Sequence, residues 1–595
     1  MKQFFKYVLA TIVGVIVLWF LAFLIFGVVI GSSIKSSMKD DAVKVDANSI
    51  LKLEFSTGVN DRPSQDEDFL STFLPVDLEG NYGLRPTIQA IQAASEDDKI
   101  RGIYLESDGL AIGLANLTAL EQALTEFKDS GKFVVANSRF MTQRNFALAS
   151  LADEVYMHPE GYFDFRGFYA SSTFLKGTLD KLGVEPMVFY AGKFKSATEP
   201  FRRKNMSEEN KLQTREFLED FYTNYIEMVS SNRNISADEV RDIANEMKVR
   251  SVEDAVEYKL IDGLKYDDEI HSLLKEKIGF DEEDDLEFVS LQDYSDAKEI
   301  KPNGKNSGDN RIAVVYAEGT IDMSETTADT NGIGGDEYAK IIRKLRKNDK
   351  IKAVVLRVNS PGGSAFASDL IWREIELLKE QKPVVVSMGN LAASGGYYIA
   401  CNANKIYAEE NTITGSIGVF SVLMNVEKFM EDKLGVTADG VGTGKYSDFP
   451  NLMKDWTSEE ESIIQGQVED IYGDFIGKVA EGRGMGVEQV HEIAQGRVWS
   501  GEDAIEIGLV DEIGSLQDAI DHAQGLAEVD DPRISVYPRV KSEWERIQEI
   551  FNIEAKSDKI VAEKLGEYGT VLQQLEQIKT YQEPQMRMPY DLEIE

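Results

Sequence analysis

Apolar residues are laid out in three ways along this chain. Residues 7–31 form an uncharged stretch of 25 residues. As a helix rising 1.5 Å per residue it is long enough to span a hydrocarbon layer of about 30 Å, and it exceeds the apolar part of a cleaved leader, about 7–15 residues. The pattern therefore predicts a retained anchor. Lys2 and Lys6 precede it, and Lys35 and Lys39, offset by Asp40 and Asp41, follow it. That charge bias predicts a cytoplasmic amino terminus and a body on the far side of a cell inner membrane, in the periplasm. Beyond residue 46 short apolar runs predict strands at 49–55, 133–138, 311–319, 353–358 and 384–388. Helical spacing predicts helices at 337–348, after Ser207, and after the SEEE run at 458–461, which reads as a capping box. Strands alternating with helices imply an α/β fold with parallel sheets covered on both faces.

The pattern is written twice. KIRGIYLESDGLAIG (99–113) matches KIKAVVLRVNSPGGS (350–364) at an offset of 251. The same offset pairs FVVANS (133–138) with VVVSMG (384–389), and SVEDAVEYKLIDGL (251–264) matches SGEDAIEIGLVDEI (500–513). The chain thus divides into an anchor region (1–45), a first α/β repeat (46–280), an acidic Pro/Gly/Asn/Ser-rich linker (281–310), a second repeat (311–540) and an extension (541–595). An apolar stripe at Trp544, Ile547, Ile550 and Phe551 predicts amphipathic helix in the extension.

Composition narrows the function. A net charge of −39 argues against nucleic-acid binding, which calls for a basic face. Cys401 is the single cysteine, so no intramolecular disulfide exists. The four histidines, His158, His271, His491 and His522, stand in no motif and in no ligand cluster, so neither metal nor cofactor is expected.

The candidate chemistry lies where the copies differ. The second carries NSPGGS (359–364) after a buried strand. Paired glycines let a backbone approach a ligand and aim N–H groups at a developing oxyanion, though they also suit a tight turn. Next comes AASGGYY (392–398), with Ser394 at a strand-to-helix junction. At the same offset the first copy has Gln143 for Ser394, and Ala111 and Ile112 for Gly362 and Gly363. Conversely, AGKFKSATEPF (191–201) aligns with TGKYSDFPN (443–451), so that Lys195 meets Ser447. A lysine is ordinarily a solvated charge, and the alignment alone leaves Lys195 open between that fate and a chemical one.

The motifs NSPGGS, AASGGYY, TGSIGVF (414–420) and GKFKSATEPF together resemble the signal peptide peptidase A (protease IV) family in its long two-repeat bacterial form, over residues 46–540. The resemblance implies a tandem pair of Clp-protease/crotonase-like units and a serine protease with a Ser–Lys dyad. It implies further that the enzyme is a homotetramer and degrades apolar signal peptides left in the membrane. Carried over by motif, Ser394 is the nucleophile, Lys195 the general base, Ser416 the group that orients the base, and the backbone of Gly363 and Gly395 the oxyanion hole.

That chemistry needs a neutral Lys195, whose unperturbed pKa is about 10.4. Burial against Phe194 and Phe201 is the expected cause of a lower value, and Glu199 is expected to turn away, toward Arg202 or Arg203. A crotonase-like acyl-CoA enzyme and a non-catalytic membrane scaffold are the alternatives. Neither needs Ser394 and Lys195 supplied from different copies.

Overall fold

The computed structural model describes residues 44–55, 58–62, 82–108, 110, 112–300, 309–323, 332–539 and 584–588. The expected anchor at 7–31 and the amphipathic stripe at 544–551 lie outside them. Among the described residues no helix is long and apolar enough to cross a membrane.

Along the first copy run β1 (Ser49–Glu54), α1 (Leu84–Glu96), β2 (Ile100–Glu106), α2 (Leu114–Asp129), β3 (Phe133–Met141), α3 (Gln143–Ala149), β4 (Glu154–Phe163), β5 (Glu185–Ala191), α4 (Glu208–Arg233), β6 (Gly263–Leu264) and β7 (Phe288–Ser290). The second copy has β8 (Arg311–Glu318), β9 (Ile321–Asp322), β10 (Ile333–Gly334), α5 (Gly335–Arg346), β11 (Ile351–Ser360), β12 (Gly362–Ser364), α6 (Ala365–Lys379) and β13 (Val384–Ala393). It continues with α7 (Gly395–Ala400), β14 (Ile413–Gly415), β15 (Val419–Asn425), α8 (Ser458–Arg483), β16 (Val498–Ser500) and β17 (Arg533–Tyr537). A last strand, β18 (Gln585–Arg587), lies near the end of the chain.

Each copy builds one sheet. The first has the order β6-β4-β3-β2-β1-β7, with every pair parallel. The second runs β16-β14-β13-β11-β8-β17 and is parallel except at β16. Their near-continuous apolar runs follow from burial of both faces. In β8, Ala313 and Val315 face the core shared with Ile371 and Phe475, while Ile312 and Val314 pack on the side of Leu516, Ile520 and Ala523. A third sheet, β10-β9-β12-β18-β15-β5, mixes the copies and carries the candidate site.

Two boundaries differ from expectation. Part of the 281–310 stretch is structured: Phe288 and Val289 of β7 pair with Ile50 and Leu51, and Leu291–Ala297 is a helix. Two apolar residues beside an acidic run, Phe288 and Val289, are enough to seal the edge of the first sheet. The long second-copy helix is capped one residue earlier than the SEEE run suggests. Thr457 is the N-cap and closes a box with Glu460, leaving Ser458 as the first helical residue. The first-copy counterpart is capped by Ser207, as its sequence predicts.

Candidate active site

Ser394 ends β13 and caps α7. Its backbone takes φ 57°, ψ −116°, a region costing a non-glycine residue about 1–3 kcal/mol. The turn is held by the Ser394 N–H donating to Gly415 O at 2.8 Å and by Tyr398 N–H donating to Ser394 O at 2.9 Å. The neighbouring tyrosines are structural: Tyr397 OH donates to Leu509 O and Tyr398 OH to Asp369. At the equivalent junction of the first copy, Gln143 is buried. Its amide accepts from Gly167 N and donates to Gly167 O, fastening a loop.

Lys195 reaches this serine because β5 leaves its own copy. It pairs antiparallel with β15 over seven residues, from Val419 opposite Ala191 to Asn425 opposite Glu185. The chain leaving β5 then turns at Gly192 and lays Phe194 on the second copy, with the Phe194 N–H donating to Gln495 O at 2.9 Å. Lys195 Nζ stands 2.9 Å from Ser394 Oγ, 3.0 Å from Ser416 O and 3.0 Å from Ser416 Oγ. Its side chain is fully enclosed, and that desolvation holds its pKa well below the ordinary value of 10.5. A neutral amine has two N–H donors and one lone pair. The donors are matched by the two oxygens of Ser416, which leaves the lone pair facing the Ser394 hydroxyl.

Phe194 and Phe201 are both buried, as the dry-wall expectation requires. Glu199 is buried too, but it turns to the Ser207 N–H at 3.1 Å and Asn210 Nδ2 at 3.0 Å, with Arg202 only at 4.0 Å. The expected arginine is the weaker of its partners.

The glycines of NSPGGS stand beside the serine. Gly362 has φ 91°, and a Cβ there would fall 2.5 Å from Gly395 N. A Cβ on Gly363 would fall 1.9 Å from Ile321 O, and one on Gly395 would fall 3.1 Å from Gly363 N. Only bare backbone fits, and the amides of Gly363 and Gly395 border one small space. The four histidines are elsewhere, each against an aromatic ring: His158 on Tyr266, His271 on Phe288, His491 on Tyr472 and His522 on Tyr407. Lys445, the second copy's counterpart of Lys193, is on the surface, paired with Glu459.

A family model, peptidase family S49, matches residues 126–281 and again 376–530, once in each copy. The chain belongs to peptidase family S49. A second model, Clp protease, matches residues 309–413. This S49 peptidase is 36% identical over 517 residues to Protease 4 of Haemophilus influenzae, covering 85% of this chain and 83% of that one. It is 38% identical over 467 residues to Protease 4 of Salmonella typhi, covering 76% and 73%. To the chloroplastic serine protease SPPA of Arabidopsis thaliana it is 36% identical over 439 residues, covering 73% and 64%. It is a serine protease, and the acyl-CoA and scaffold alternatives fall with that assignment.

Sequence reasoning missed two groups around the site. Gln213 of α4 donates to Phe194 O and Ser196 Oγ and accepts from Val498 N, tying the lysine loop to the second copy. Arg357, Asp61 and Asn116 form a buried cluster between the copies. A polar side chain inside a helix or strand gives no signal of a partner hundreds of residues away.

Proposed function

We propose that this S49 peptidase is a membrane-anchored endopeptidase that cleaves apolar, extended peptides of the signal-peptide class with a Ser394–Lys195 dyad. The observation that carries the reading is the 2.9 Å approach of a fully buried lysine to a serine in a strained turn, each supplied by a different copy. In this reading neutral Lys195 takes the hydroxyl proton as Ser394 Oγ attacks the peptide carbonyl. The Gly363 and Gly395 N–H groups hold the oxyanion, and Ser416 keeps the amine aimed. The protonated lysine returns its proton to the leaving nitrogen, and water then hydrolyses the acyl-enzyme. The uncharged stretch at 7–31 supports the anchor, with the body on the periplasmic side. The family resemblance supports a homotetramer whose enclosed sites admit unfolded chains.

The test is labelling with a serine-reactive phosphonate and mapping of the modified residue, which is expected to be Ser394. Ser394→Ala and Lys195→Ala each abolish peptide hydrolysis, and the double variant is no slower than either, because the two act as a unit. Residual cleavage by Lys195→Ala at a substantial fraction of the normal rate removes the lysine from its role.

A further inference from the structure

A cavity of about 250 Å³ lies on the seam between the two copies, and none of its lining residues belongs to the dyad or to the glycine motif. Helices α1 and α2 of the first copy form one wall, and the first turns of α9 (Leu516–Leu526) of the second form the other. Arg357 of β11 and Glu409, which follows a strand at Lys405–Ala408, are its deeply buried polar groups, 1% and 4% exposed. Ligand clefts for drug-sized molecules run to about 300–1,000 Å³, so this space suits something smaller.

The polar groups at the mouth are satisfied. Glu126 accepts from Gln92 Nε2 and Gln122 Nε2, each at 3.3 Å. Asp521 accepts from Gln517 Nε2, and Asp518 closes the cap of α9 with Ser515. The groups further in are not. The Glu409 carboxylate accepts no hydrogen bond and makes no ion pair among the described residues. Arg357 spends its donors on Asp61, Asn116, Ser387 and Met388. On the opposite wall the buried Oε1 of Gln89 has no donor among the described residues. Buried polar atoms are almost always hydrogen-bonded, and an unmatched carboxylate is costly to enclose.

Both unmatched groups are acceptors, and the lining holds four carboxylates against two guanidinium groups. The missing partner is therefore a donor with positive charge. An anion would need free N–H groups at the start of α9, but Asp518 N–H already donates to Ser515 Oγ and Ser515 N–H to Asp518. Burial raises the Glu409 carboxyl to about 7. Arg357 opposes that shift, while Asp518, Glu410 and Asp61 add to it. Arg85, Glu126 and Asp521 are the other charged groups of the lining.

We infer that this cavity binds a small organic cation, carrying a guanidinium or primary ammonium head, between Glu409 of the second copy and Gln89 of the first. Such a head supplies several N–H donors together with the charge that a carboxylate calls for. Because its two acceptors come from different copies, the bound cation ties the copies together.

The test is isothermal titration calorimetry of the purified, detergent-solubilised full-length protein with agmatine, in about 0.3 M sodium chloride to screen exposed carboxylates. One agmatine per chain is expected to bind, and to raise the unfolding temperature. Binding should be about tenfold tighter at pH 8 than at pH 6, because Glu409 must lose its proton first. Glu409→Gln, which keeps the side-chain shape, is expected to weaken binding at pH 8 at least tenfold and to abolish its pH dependence. Gln89→Leu, on the other wall, weakens binding at least threefold and keeps the pH dependence, and it reports on the same site should Glu409→Gln fail to fold. Absence of agmatine binding at pH 8 overturns the inference, as does binding that both variants retain, which places the amine on the acidic surface. Binding of sodium phosphate in place of agmatine overturns the choice of charge. Binding of calcium chloride in place of agmatine, lost in Glu409→Gln, overturns the organic cation.

Discussion

In the proposed dyad the base is an amine whose charged form is disfavoured by enclosure, and the cost of that enclosure appears in stability. Lys195 has its pKa depressed by desolvation, whereas in the unfolded chain it is protonated up to about 10.4. The unfolded state therefore binds more protons, and stability rises with pH up to that unfolded value. Compared with Lys195→Met, which has no such group, wild type should gain stability as pH is raised from 7 to 10. Thermal unfolding across that range checks it, and a pH-independent difference counts against a neutral buried lysine. If Lys195 is the base, activity should rise with pH through an ionisation well below the ordinary lysine value. The strained turn at Ser394 gives a second expectation. Ser394→Gly and Ser394→Ala are both inactive, but the glycine variant unfolds at higher temperature by the equivalent of about 1 kcal/mol, since glycine alone adopts φ 57° without penalty. Comparison of the two copies pointed to Ser394 but left Lys195 open between a solvated charge and a chemical role, which only the family motif assigns. Gln143 and Ser447 show what the scaffold holds at those positions when no dyad is present. Ser416 and the glycines were legible only through their family motifs, since nothing in their spacing says that they converge.

At the scale of elements, the decisive feature is one that periodicity does not announce. β5 lies within the first copy's span of the chain, yet it hydrogen-bonds to β15 of the second. Its far end sets where the lysine loop begins. Gly192, at φ 109°, sits so tightly on the second copy that a Cβ would fall 2.4 Å from the carbonyl carbon of Gln495. Gly496 in turn leaves room for Lys195, whose Cβ would lie 2.7 Å from a Cβ there. Both obstacles to a side chain at these sites are backbone or the base of the lysine itself, and neither can swing aside. Gly192→Ala is therefore expected to shift the lysine loop while the β5–β15 ladder persists. A displacement of about 1 Å at a reacting group costs about 100-fold in rate, so kcat should fall by that order with KM little changed and the circular dichroism spectrum intact. An unchanged kcat would mean that the loop tolerates a different seat. The stretch at 281–310 shows the opposite limit of sequence reading. Its acidic run hid a three-residue strand and a helix, because so few apolar positions carry no period of their own.

For the whole molecule, the question is what makes two copies act as one enzyme. The repeat made the doubled scaffold legible, and the split dyad implied that the copies must meet. The sequence did not show the polar centre of that meeting. Arg357 of β11 is almost fully buried and donates to Asp61 Oδ1 at 2.8 and 3.1 Å, to Asn116 Oδ1 at 3.1 Å, and to Ser387 Oγ and Met388 O. Asp61 and Asn116 belong to the first copy, and β11 leads directly into NSPGGS, so this guanidinium links the first copy to the strand that positions the glycine cradle. Burial by itself would lower the pKa of Arg357, but the Asp61 carboxylate beside it raises it instead. Arg357 therefore keeps its charge, and removing either member leaves the other's buried polar group without its partner. Such a loss costs about 3–5 kcal/mol, whereas replacing both members by apolar groups is often neutral or stabilising. Asp61→Leu and Arg357→Leu are each expected to lower the unfolding temperature of the detergent-solubilised protein and to reduce peptide hydrolysis. The double variant should unfold at a higher temperature than either single one, because no buried charge is left alone. If instead the two losses add, the ion pair is not what joins the copies here, and Asn116 with its bond to Asn390 of β13 becomes the contact to test.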